Sequence, residues 1–326
     1  MTITRWPNLM QEIKRVLKPG GIIEQHELDA IAHNAGPKFQ NIQNYGNETS
    51  STSEKQKQGF NYIGGRKFYD IVPYVLPADI EEDDRLHQQH FALKYICGGN
   101  YTAPIHDLIK PGSKILDLGC GPGQWTLEMA QEFPQADVYG IDINANFPTT
   151  IKPANSHFLV GNVTERLPWE DNYFDFIWIR YLFVGIMDAD WQNLYHEVRR
   201  VLKPGGILEH HECDGLTVNP GPKFKKFLGH FEEAFISRDL SFRLACELSE
   251  RMTMAGFEDQ LEGGKIGEIW AANLKDGTFA MKPWLSKLTG LTDDEYDSVV
   301  QYIFDYEIFE YDDYHNHHMV WARKNQ

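Results

Sequence analysis

The sequence is short of positive charge. Lys and Arg total 31 against 47 Asp and Glu, a formal net charge of −16 at pH 7. A protein whose main partner is a phosphate backbone needs the opposite balance, so this composition argues against nucleic acid as the partner. Cysteine is scarce as well: Cys97, Cys120, Cys213 and Cys246. No two make a CxxC pair and none stands near a His at zinc-ligand spacing, so no metal is expected. No apolar run approaches the ~20 residues that span a bilayer, and Met1–Arg5 has no apolar segment of signal-peptide type. A soluble protein with no membrane partner, cytoplasmic or nuclear, is the expectation. What is there, 42% hydrophobic and 24% charged over 326 residues, is ordinary globular composition with room for a sizeable core.

The chain repeats itself once. Residues 6–39 and 191–224 align without a gap at an offset of 185, with 21 of 34 positions identical. In the second copy Trp191, Leu194, Tyr195, Val198, Val201 and Leu202 follow helical spacing, Lys203-Pro204-Gly205-Gly206 turns the chain, and a strand leads towards Cys213. One helix and one strand cannot bury their apolar faces alone. The first copy therefore reads as an orphaned piece over 1–45, matching the unit at 191–230. Residues 46–62 read as a polar linker, and a complete domain is expected over 63–326.

Within that domain, residues 83–96 read as a helix. Short apolar runs at 114–118, 138–141, 157–160, 173–179 and 206–213 read as strands separated by helical segments. Such alternation implies a parallel sheet with helices on both faces. A late strand at 314–323 and a helical insertion at about 280–310 complete the pattern.

The sharpest signal follows the first of these strands. Gly119, Gly121 and Gly123 form a loop in which the backbone can approach a ligand closely. Asp142 ends the next strand, where an acidic side chain can accept hydrogen bonds from ribose hydroxyls. Gln124 follows the third glycine, against the dinucleotide fingerprint. Asp117 would repel a pyrophosphate and suit a cationic amino group. S-adenosylmethionine has an amino group, a sulfonium and no phosphate, and fits better than a nicotinamide cofactor.

The stretches ILDLGCGPG, VYGIDI, FLVGNVTERLPWEDNYFDFIWIR and LKPGGILE together resemble class I S-adenosylmethionine-dependent methyltransferases. More narrowly, DIEEDDRLHQQHFALK and WIRYLFVGIMDADWQNLYHEVRRVLKPGG resemble fungal methyltransferases related to velvet-associated regulators of secondary metabolism. The resemblance implies a Rossmann-like seven-stranded α/β sheet, mostly parallel with a late antiparallel strand. It implies that Asp117, Gly119, Gly121 and Gly123 line the methionine and ribose side, that Asp142 holds the ribose hydroxyls and Ile143 packs on adenine. Asn162 and Val163 stand at the adenine, where an acidic residue is usual at the first. Arg180 and Tyr181 would face the reactive methyl group. The implied function is methyl transfer to an unidentified acceptor, a small molecule favoured. The alternative is a regulator that binds the cofactor and acts in a protein complex.

Other residues carry weaker readings. Glu209 and His211 should share one strand face, and His210 and Glu212 the other, with structural roles favoured over proton transfer and no catalytic base assigned. His315, His317 and His318 lack an acidic or Cys partner at diagnostic spacing. Phe224, Phe227, Leu228, Phe231 and Phe235 read as a core stripe. No Lys or Arg stands between Lys287 and Arg323. That acidic stretch reads as a solvated face, or as a cap disfavouring anionic substrates.

Overall fold

In the computed structural model the described residues are 60–69, 73–261, 265–266, 268–311 and 313–325. The first repeat copy at 1–45 lies outside them, as does most of the linker at 46–62.

A hairpin opens the described chain: β1 (Phe60–Ile63) pairs antiparallel with β2 (Arg66–Tyr69). Arg66 grips the Asp79 carboxylate with two hydrogen bonds of 2.6 Å. Asp79 is the N-cap of α1 (Ile80–Cys97), accepting the Glu82 amide, and acidic side chains fill the first turn where the helix dipole favours them. Gly98 ends the helix in the left-handed conformation.

The sheet follows the expected alternation. β3 (Lys114–Leu118), β4 (Asp137–Asp142), β5 (Ser156–Val160) and β6 (Phe174–Arg180) are parallel, and β7 (Leu202–Val218) joins them. β8 (Phe257–Leu261), the two-residue β9 (Lys265–Ile266) and β10 (Tyr314–Lys324) are the later strands. The order is β5-β4-β3-β6-β7-β10-β8, with β9 pairing β10 from the side. Seven strands thus make the sheet path and β9 is an eighth. β10 runs antiparallel to both neighbours. The initial hairpin is separate from this sheet.

Strand alternation explains the two buried faces. Ile177 and Ile179 enter one cluster with Leu116, Leu118 and Leu208, while Phe176 and Trp178 enter the other with Ile115 and Ile207. α2 (Gln124–Glu132) covers the second face through Trp125 and Met129. α3 (Trp191–Val201) and α5 (Leu244–Met254) cover the first. The expected α3 stripe is buried along its whole length.

β7 is much longer than the expected 206–213. Leu202 pairs with Phe174 and Ile207 with Phe176, so the Lys203–Gly206 turn is an excursion in the ladder rather than a boundary. Beyond the sheet, β7 continues against β10 as far as Val218 and Tyr314.

The remaining helices pack beside that extension. They are α4 (Pro222–Ile236), α6 (Glu268–Ala280), α7 (Lys282–Thr289), α8 (Asp293–Tyr302), a π-helical stretch at Ile303–Glu307 and the short α9 (Ile308–Glu310). The helical region begins at Glu268, earlier than the expected 280, because Gly277 lies inside α6 instead of breaking it. α8 starts on a capping box between Thr292 and Glu295. Its acidic side chains face water, while Tyr296 and Val300 pack against Phe224 and Phe227. No helix among the described residues is long and apolar enough to cross a membrane.

Candidate active site

The parallel strands on the two sides of β3 run outward in opposite sequence order, and ligands in such sheets bind beyond the carboxyl ends at that point. A cleft of about 1230 Å³, open to solvent, lies there. Asp117, Gly119, Gly121, Asp142, Ile143, Asn162, Val163 and Arg180 all line it.

Gly123 is not among the residues that line it. It is the N-cap of α2 at φ +83°, where an added Cβ would stand 2.6 Å from the Phe158 ring. Phe158 is itself stacked on Phe147 with ring centroids 4.9 Å apart. Gly119, at φ +80°, is similar: its Cβ would meet Leu182 at 2.3 Å. The glycines thus answer first to backbone conformation and protein packing. Gly123→Ala is expected to cost on the order of 3 kcal/mol, from left-handed strain plus overpacking against two stacked rings. Urea unfolding measures this; a loss below about 0.5 kcal/mol would refute the packing account.

Asp142 ties the loop to the next strand. Its carboxylate accepts the Gly121 and Asn144 amides, each at 2.8 Å. Burial raises its pKa, and these amides work against the shift. Asp117 is more secluded. Burial pushes its carboxyl up to about 7, opposed by the Thr126 hydroxyl at 2.7 Å and by the charge of Arg180. Asn162 spends its side-chain oxygen on the Thr164 amide and hydroxyl, at 3.1 and 2.9 Å.

Arg180 closes the cleft from the end of β6. Both its terminal nitrogens stand 3.3 Å from His90 Nδ1; guanidinium only donates, so Nδ1 accepts. His90 Nε2 then faces Glu128 at 3.1 Å. Burial lowers the His90 pKa. Burial alone would raise Glu128, but His90, Lys94 and Gln124 outweigh it and hold the carboxyl down at about 2. Sequence reading left His90 without a role, because helical spacing within α1 does not reveal which strand ends the helix covers.

The alternation along β7 produces two buried His–Glu pairs. His210 Nε2 meets Glu212 at 3.0 Å, and His211 Nε2 meets Glu209 at 2.7 Å. Glu209 also accepts the Thr102 amide and hydroxyl and the Ala103 amide. His211 Nδ1 lies 3.4 Å from His317 Nε2, and His317 Nδ1 lies 2.6 Å from the Tyr181 hydroxyl. With one proton on each imidazole, the donations run inward: Tyr181 to His317, His317 to His211 and His211 to Glu209. Tyr181 is held at φ +51°, unusual for an aromatic residue.

His318 gains through the fold the partners its sequence spacing lacks. Its Nε2 is 3.0 Å from Asp214 Oδ1, which also receives the Cys246 thiol at 3.0 Å. Ligand atoms of these three residues lie within 4.8 Å of one another.

A second chamber adjoins the cleft. It has about 850 Å³ of space, part of it open to solvent, and shares with the cleft Tyr74, Leu86, Gln89 and Tyr181. Four members of the α4 stripe line it: Phe224, Leu228, Phe231 and Phe235. The stripe expected to be core is therefore in part a cavity wall, and sequence cannot separate the two because both demand the same apolar face.

Residues 115–206 match the family described as a methyltransferase domain. Over 201 residues the chain is 32% identical to the secondary metabolism regulator LAE1 of Cochliobolus heterostrophus, covering 57% of this chain and 64% of that protein. It is 34% identical over 145 residues to the secondary metabolism regulator laeA of Coprinopsis cinerea, covering 43% and 36%. It is 35% identical over 158 residues to methyltransferase str2 of Strobilurus tenacellus, covering 47% and 55%. The chain thus spans between about a third and two thirds of these relatives. Among solved structures, mycolic acid cyclopropane synthase CmaA1 complexed with SAH and CTAB aligns with TM-score 0.50 at 17% identity, over 75% of this chain and 88% of that one, a likeness of fold.

Proposed function

We propose, from the premise that this chain carries a class I methyltransferase domain, that it transfers the methyl group of S-adenosylmethionine to a small-molecule acceptor. The observation that carries this reading is the charge of the cleft wall. Asp83, Asp117 and Asp142 stand on it, with Glu82 neutralised by Arg85 behind it, and among the described residues Arg180 is its only Lys or Arg. That wall suits a cationic nucleoside without phosphates and opposes a dinucleotide. The buried Asp117 carboxylate fits an ammonium group, Asp142 a ribose, and Ile143 and Val163 an adenine face, with Asn162 offering its amide nitrogen. When bound, the cofactor supplies a sulfonium methyl open to nucleophilic displacement.

The protein's part is positioning and exclusion of water. Tyr181, on the wall between cleft and chamber, is the outer end of the hydrogen-bonded line to Glu209. A hydroxyl acceptor that loses its proton as the new O–CH₃ bond forms can pass it to the Tyr181 oxygen, while Tyr181, His317 and His211 each pass their own inward and the proton comes to rest on the Glu209 carboxylate. A regulator that binds the cofactor without transferring its methyl is not favoured, since relatives named as methyltransferases match at identities like those of the named regulators.

Calorimetric titration of the full chain with S-adenosylmethionine tests the reading. Micromolar binding is expected, weakened about tenfold or more in Asp142→Ala through loss of charge-assisted hydrogen bonds. Absence of binding, or binding unchanged in Asp142→Ala, would overturn it.

A further inference from the structure

Away from the cleft, three side chains that are far apart in sequence converge. Asp214 lies on β7, His318 on β10 and Cys246 in the first turn of α5. His318 stands opposite Glu212 in the β7–β10 ladder, and Asp214 is two residues further along. Strand alternation therefore sends both side chains out of the same sheet face. α5 packs on that face against Leu208 and Val320, and Cys246 reaches the pair from its first turn. Separations of 32 and 72 residues along the chain hide this group from any spacing pattern.

The contacts centre on one oxygen. The Cys246 thiol and His318 Nε2 each stand 3.0 Å from Asp214 Oδ1. Hydrogen bonding leaves the group incomplete. His318 Nε2 is closed off from water yet makes no hydrogen bond among the described residues: Asp214 Oδ1 is near enough but not in the direction that a ring N–H requires. A buried ring nitrogen left in that state is costly. Asp214 is itself buried, and its other oxygen accepts the Asn316 amide at 3.1 Å, which orients the carboxylate. Metal-binding carboxylates ordinarily have such an outer contact. Cys246 is exposed, so the group is open to solvent on one side.

Thiol, imidazole and carboxylate are ligand types of zinc, whereas magnesium and calcium take oxygen. Ligand atoms around a tetrahedral zinc stand about 3.3–3.6 Å apart, so the two short contacts need to open only by a fraction of an ångström. We propose that Asp214, Cys246 and His318 bind one zinc ion. The ion takes the Cys246 sulfur as thiolate, whose proton leaves to solvent. It takes the lone pair of His318 Nε2, with the ring proton on Nδ1, and it takes Asp214 Oδ1. One thiolate and one carboxylate balance its two charges, and water from the open side fills the fourth position. Neither Cys246 nor His318 lines the cleft or the chamber, so the ion's part is structural: it fastens α5 to β7 and β10.

The test uses the full chain, freed of metal by chelation, with zinc and cobalt(II) as probes. About one equivalent of zinc is expected to bind at micromolar protein, and to raise Tm by about 5 °C at a hundredfold excess over Kd. Cobalt(II) in the same place should show a thiolate-to-cobalt charge-transfer absorption. Of the four cysteines, Cys246 is the one with a His and an Asp at ligand distance among the described residues. The absorption should therefore vanish in Cys246→Ser and remain in Cys97→Ser. Cys246→Ser and His318→Gln should each weaken zinc by about tenfold or more. Because Cys246 is exposed, its serine variant should melt like the unaltered chain when both are free of metal, which separates lost binding from lost folding. No zinc bound at micromolar protein, a cobalt absorption that survives Cys246→Ser, displacement of the zinc by millimolar magnesium, or zinc affinity unchanged in His318→Gln overturns the proposal.

Discussion

Affinity for S-adenosylmethionine is expected to be about tenfold weaker at pH 6 than at pH 8, with a proton released on binding at the lower pH. The reason is Asp117. Burial pushes its carboxyl up to about 7 in the empty cleft, so near neutrality the group is poised between its two forms. A cationic amino group favours the carboxylate. The sign follows: below about 7 the Asp117 proton must first leave, while above about 8 the ligand's own amino group begins to lose the charge that the carboxylate pairs with, so affinity is highest between the two. Asp117→Asn should flatten the profile between pH 6 and 8 and weaken binding at pH 8 by about 10- to 100-fold, the range for losing a hydrogen bond to a charged group. Calorimetry in two buffers of different ionisation enthalpy reads both affinity and proton release. A slope that persists in Asp117→Asn would assign the titration elsewhere and remove Asp117 from the amino-group role.

The largest loss of stability is expected from Glu209→Ala, about 3–5 kcal/mol, or about 10 °C in Tm. Glu209 is fully buried. It accepts the Thr102 amide at 2.7 Å, the Thr102 hydroxyl at 2.6 Å, the Ala103 amide at 3.0 Å and His211 at 2.7 Å. Alanine leaves all four donors without their acceptor; Thr102 is exposed and can turn to water, but the Ala103 amide and His211 are buried, and a bare buried donor costs more than an average hydrogen bond gains. Glu209→Gln keeps one carbonyl oxygen and should lose less. Denaturant unfolding checks both; a loss under about 1 kcal/mol for Glu209→Ala would show that the loop at 101–103 relaxes to find other partners. The same substitution cuts the inner end of the line to Tyr181, so methyl transfer to a hydroxyl acceptor should fall further than cofactor binding does.

The parts of this site that the sequence made legible are those set by local spacing. Asp117, Gly119 and Asp142 lie within one strand–loop–helix–strand unit, where the distance along the chain fixes the distance in space. The pairing of Glu209 with His211 and of His210 with Glu212 followed from strand alternation in the same way. The packing of Gly123 against Phe158 was not legible, because a glycine pattern records only permitted dihedrals, and those are required equally by a ligand and by a neighbouring ring. Asn162 was legible as a position, while its side-chain turn to Thr164 was not. His90 could not be assigned a role because its contact with Arg180 crosses a long separation, helix α1 against the end of β6. The Lys203–Gly206 turn looked like a strand boundary, yet the sheet absorbed it as a bulge, since the residues on either side pair with the same neighbour.

The cleft and the chamber share four lining residues, Tyr74, Leu86, Gln89 and Tyr181, and so adjoin. Two ligands in adjoining spaces can be joined covalently. An adenosine half joined to a neutral aromatic half, by a linker just long enough to pass Tyr181, would bring the second half to its seat at an effective concentration in the millimolar range and bind ~10²–10⁴-fold more tightly than either alone. The adjacency thereby makes this chain a target for bisubstrate inhibitors, whose aromatic half need not be the natural acceptor to be selective.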